Sequence, residues 1–130
     1  MAVVSGAAHA FDATTRLTNV ALTNQDVGQA LTQGLMAAFD QTFPAQRYGV
    51  RVIVDAIAMG DGQTVVYMSL GLARRTSGGQ HLQQHATVSH ALMLPSGMSR
   101  EQQHPSVMHD LTQLAGRFSQ AMIRNAARVR

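Results

Sequence analysis

From Tyr48 to Arg75 the chain changes chemical character at almost every residue, and few architectures can use such a stretch. In YGVRVIVDAI, Val50, Val52, Val54 and Ala56 fall on one side, with Arg51, Ile53, Asp55 and Ile57 on the other. In TVVYMSLGLARR, Val66, Met68, Leu70 and Leu72 alternate with Tyr67, Ser69 and Gly71. A period of two belongs to extended strands, whose successive side chains point to opposite faces. Between the two runs, MGDGQT supplies Gly60, Asp61 and Gly62, which accept the positive backbone angles of a hairpin. TSGGQ reads as a second turn, and HATVSHALML as a third strand that sets Ala86, Val88, His90 and Leu92 against Thr87, Ser89 and Met93. A three-stranded antiparallel meander follows.

On either side the period lengthens to that of a helix. From about Gln25 to Thr42, with Thr23 or Asn24 as N-cap, the residues Val27, Ala30, Leu31, Gly34, Leu35, Ala38 and Phe39 share one face at 100° per residue. Pro44 closes this helix, because the residue before a proline is pushed out of the helical region. Pro105 suits a first helical position, and from it Val107, Met108, Leu111, Leu114, Ala115, Phe118, Met122, Ala126 and Val129 form an apolar arc. TRLTNVALT, before the first helix, reads as a fourth strand. The expected fold is a two-layer α+β domain: a three- or four-stranded, mainly antiparallel sheet with two helices on one face. Its order is β-α-β-β-β-α, or α-β-β-β-α without the early strand.

The 130 residues are 45% hydrophobic, enough for one domain with its own core and no disulfide. Residues 16–130 are read as that domain and 1–15 as a flexible N-terminal arm. Ala8-His9-Ala10 has the A-x-A form of a processing site, without a charged start before it. If it ends an export signal the protein belongs in the periplasm or cell envelope; otherwise the cytoplasm is expected. No stretch reaches the roughly 20 apolar residues of a membrane helix.

Chemistry is sparse. There is no cysteine, so thiolate catalysis and thiolate metal sites are excluded. His81, His85 and His90 crowd one segment, but on a strand the odd separation of His85 and His90 sends them to opposite faces. No acid lies between residues 62 and 100 to complete a ligand set, and His104 and His109 sit about 140° apart on a helix. No metal site is expected. His90 alone has the parity of the core, where it would bond to backbone or mark a bend in the strand. Asp55 has the opposite parity and should not pair with it. Asp26 and Asp61 are explained by a helix start and a turn. No nucleophile elbow, phosphate loop, zinc motif or dinucleotide fingerprint occurs. Neither an enzyme nor a cofactor is expected.

Two features remain. All the net charge of +3 lies beyond residue 99, where Arg117, Arg124 and Arg128 fall within about 40° of one another on a continuous helix. Such a stripe suits phosphate contact, so nucleic acid or the ribosome is one candidate partner. The second is the sheet face opposite the helices, which carries Ile53, Ile57, Tyr67 and Met93 among Arg51, Ser69 and Thr87. That mixture is too apolar for water and too polar for a core, as contact surfaces commonly are. The leading expectation is a non-enzymatic binding or assembly module that meets a protein partner, or a second copy of itself, through this face.

Overall fold

A computed structural model describes residues 13–75 and 82–129, with 82–85 described by their backbone alone. Four strands form one sheet in the order β1 (Ala13–Thr18), β2 (Tyr48–Ala58), β3 (Thr64–Arg75) and β4 (Leu82–Leu94). The alternating runs make the antiparallel ladders β2–β3 and β3–β4. The fold is the expected two-layer α+β sandwich, with the early strand present. β1 lies parallel to β2, pairing Ala13 with Val50 and Thr18 with Asp55. A parallel pair needs a long crossover, and the helical segment between them supplies it.

The sheet includes residues expected in the flexible arm. β1 begins at Ala13, so 13–15 belong to the ladder, and it ends at Thr18 rather than extending through the rest of TRLTNVALT. Residues 1–12, with Ala8-His9-Ala10, and the TSGGQ turn with His81 lie outside the described residues.

The first helix is broken where one continuous element to Thr42 is expected. α1 (Asn24–Gly34) opens with a capping box: the Asp26 N–H donates to Thr23 Oγ1 at 3.1 Å, and the Thr23 N–H donates to Asp26 Oδ2 at 2.9 Å. It stops at Gly34, and Leu35 is extended. The reason is the neighbour. Gly34 lies so close to the last helix that a Cβ there would overlap the Thr112 carbonyl oxygen and come within 2.6 Å of Ala115 Cβ. Past the break, the Met36 N–H donates to the buried Ser119 hydroxyl at 3.0 Å, which replaces the lost helical partner. The chain then turns into α2 (Phe39–Thr42), which delivers Phe39 to Phe118 and Phe43, at ring separations of 5.7 and 5.3 Å. Phe43 before Pro44 is non-helical, as expected.

The last helix also differs at both ends. α3 spans Arg100–Arg124 and starts before Pro105, because Ser99 and Gln102 form a second capping box with bonds of 3.2 and 2.8 Å. Pro105 sits inside, where its missing N–H removes a single backbone bond near the start. At the other end Asn125 caps α3, and α4 (Ala126–Val129) is a separate turn.

Both long helices cover one side of the sheet. Val50, Val52, Val54, Val66, Met68, Leu70 and Leu72 point into it and are fully buried with Val27, Leu31, Leu111, Leu114 and Phe118. No helix among the described residues is long and apolar enough to cross a membrane.

Candidate protein-contact face

The side of the sheet away from the helices is ordered in rows by the strand register. At the hairpin end Ile57, Val65 and Met93 stand side by side across β2, β3 and β4. The next row holds Thr18, Asp55, Tyr67 and Ala91; the next, Arg16, Ile53, Ser69 and Ser89; the next, Thr14, Arg51, Gly71 and Thr87. The four residues expected at a contact are therefore on one face. Ile57 and Met93 are each 54% exposed and Tyr67 41%, while Ile53 is half-buried. Met59, in the adjoining turn, adds a fourth large exposed apolar side chain. That turn is held by bonds of 2.7 Å from the Met59 N–H to the Gln63 carbonyl and 3.0 Å from the Gln63 N–H to Asp61 Oδ1, with Gly62 at φ 87°. Tyr67 is fixed as well: its hydroxyl lies 3.0 Å from Ser89 Oγ on the neighbouring strand.

The opposite end of this face is basic. Arg16 and Arg51 come from adjacent strands onto a shallow cavity of about 280 Å³, lined also by Thr14 and Ile53. Arg16 reaches Asp55 at 3.6 Å, too long for a hydrogen bond, and Asp55 Oδ1 is buried with no hydrogen-bond partner. This convergence was invisible in the sequence, because it depends on the parallel register of β1.

The histidines do not gather. His90 faces the helix layer, as its parity requires, yet its partner is neither backbone nor a bend: Nε2 lies 2.8 Å from Asp110 Oδ2 on α3. Asp55 is on the other face, so the two do not pair. β4 carries a bulge at His85, where Leu72 pairs with Ala86 and Ala73 with Gln84. The side chain of His85 lies outside the described residues. His104 Nε2 meets Asp26 Oδ2 at 3.2 Å, and His109 is exposed on the same groove between α1 and α3, of about 550 Å³. Burial would raise the Asp26 carboxyl, but the Thr23 N–H, the His104 ring and the Thr23 hydroxyl outweigh it and hold it below its ordinary value. Both carboxylates in these pairs have structural work: Asp26 closes a capping box and Asp110 joins α3 to β4. Among the described residues no group of three or more His, Asp or Glu could hold a metal ion.

Arg117, Arg124 and Arg128 are all exposed. Arg117 and Arg124 share the flank of α3 with Asp110, within about 40° at 100° per residue. Arg128 stands on the separate turn α4, beyond the Asn125 cap that ends α3. Comparison with family models, curated proteins and solved structures finds no match to the chain.

Proposed function

We propose that the protein is a non-enzymatic binding or assembly module whose working surface is the open face of its sheet. The observation that carries this reading is the row Ile57, Val65 and Met93 with Tyr67 beside it, on a face that the helices leave bare. Apolar side chains there add little to the fold, because the core lies on the other side of the same strands. Buried against a partner, they would each release water at roughly 25 cal/mol per Å² of apolar area. The test is photo-crosslinking in cells from an unnatural residue placed at Tyr67 or, as a control on the helix layer, at His109. Protein adducts, to another chain or a second copy, are expected from Tyr67 and not from His109. Adducts from His109 alone would overturn the reading.

A second reading, contact with nucleic acid through Arg117, Arg124 and Arg128, is supported by their exposure and by the net charge of the last segment. It requires RNA affinity that falls steeply with salt and drops when all three become glutamine.

A further inference from the structure

We infer that Arg16 and Arg51 form a carboxylate-binding subsite on the open face, and that the partner is an acidic protein segment whose apolar side chains cover Ile57, Tyr67 and Met93. The inference rests on the open face being the working surface and adds what that surface selects. Arg16, Arg51 and Thr14 line one small cavity. Arginine is always charged and presents a planar fork that matches a carboxylate with two parallel hydrogen bonds. Among the described residues this part of the face holds two arginines and one carboxylate, Asp55, which approaches Arg16. Its contact with Arg16 is loose at 3.6 Å, and the Arg16 side chain remains 67% exposed. An incoming carboxylate would finish the neutralisation without breaking a tight internal pair.

The rest of the face excludes a nucleic-acid backbone as the better fit. Its cations stand at one end only, and the other end presents aliphatic side chains and methionine. Tyr67, the one exposed aromatic ring on this face among the described residues, is tied to Ser89 rather than free to stack on a base. Along β2 the distance from Arg51 to Ile57 is about 20 Å, at about 3.3 Å per residue. A complementary strand would carry its acids about six residues from its apolar anchors.

The experiment titrates the full-length, ¹⁵N-labelled protein with the peptide Ile-Leu-Ile-Thr-Ser-Thr-Glu-Glu-Glu. Parallel titrations use its Gln-for-Glu version, inorganic phosphate and oligouridylate. The acidic peptide should move the amide signals of Tyr67 and Met93 together with those of Thr14, Arg16 and Arg51. Its affinity should fall at least tenfold in Arg16→Gln/Arg51→Gln and stay unchanged in Arg117→Gln/Arg124→Gln. Both arginines of the first pair are exposed, and an unperturbed amide spectrum checks that this variant is folded. Several results would overturn the inference: equal binding of the Gln version, unchanged affinity in Arg16→Gln/Arg51→Gln, phosphate bound as tightly as peptide, or oligouridylate bound more tightly at the same arginines. If both peptides move only the apolar end, the subsite fails and the open-face reading stands. If neither moves any signal of this face, both fail.

Discussion

Tyr67 and Met68 are adjacent in the chain and live in different solvents. Met68 is fully buried between the sheet and its helices; Tyr67, one residue earlier, is 41% exposed on the bare side. The contrast runs along whole strands. Val50, Val52 and Val54 are sealed, while Arg51, Ile53 and Asp55, which alternate with them, face outward. Folding accounts for the first set completely. The open face also carries isoleucine, tyrosine and methionine, where an antiparallel sheet with one solvated face normally alternates apolar inside with polar outside. The helix-covered face carries the stability of the fold, and the open face is the surface proposed above for contact.

Substitution at these neighbours should separate the two roles. Met68→Ala should lose about 2–5 kcal/mol of unfolding free energy in urea titration, from lost burial and the cavity left behind. Tyr67→Ala should stay within about 0.5–1 kcal/mol of the parent, the ordinary range for a surface change with one side-chain bond removed. Equal losses would mean the open face is part of the core. Next in size is Gly34→Ala, which forces a methyl group against the Thr112 backbone and Ala115; a loss of about 1–3 kcal/mol is expected, measured the same way. A neutral or stabilising outcome would show that α1 and α3 are less closely joined than described. The smallest effect concerns pH. Asp26 is held below its usual 3.8, so the folded protein takes up this proton less readily than the unfolded chain. Its stabilisation is present above the unfolded value and is lost as the pH falls through that value to the folded one. Acid denaturation of Asp26→Asn should therefore be shallower than that of the parent below about pH 4, and identical slopes would remove the His104 and Thr23 contacts from the account.

Much of this was legible because alternation is local. The parity of Val50 to Ile57 and Val66 to Leu72 assigned each side chain to its face, and the Gly62 turn set the register of the hairpin. What stayed hidden depends on elements meeting. The helical face of Val27 to Phe39 is continuous in sequence, whereas the contacts that accompany the break at Leu35, with Thr112, Ala115 and the Ser119 hydroxyl, come from another helix. His90 and Asp110 are far apart in kind of element, so no spacing could pair them. Arg16 and Arg51 were separated by a whole helix and by a parallel register that periodicity does not contain. Ser99 and Gln102, by contrast, spell a capping box that was available to read, and Pro105 drew the helix start away from it.

The most direct measurement of the central claim needs no substitution. Hydroxyl-radical footprinting compares methionine oxidation in the purified protein and inside the cell, where the proposed partner would be available. Met93 reports on the open face and Met59 on the turn that adjoins it, Met36 on the helix layer at a comparable 46% exposure, and fully buried Met68 on the core. Met93 and Met59 should be protected in the cell and oxidised when pure, with Met36 oxidised equally in both. Protection of Met36 with Met93 left open would place the contact on the wrong side of the molecule and contradict the account.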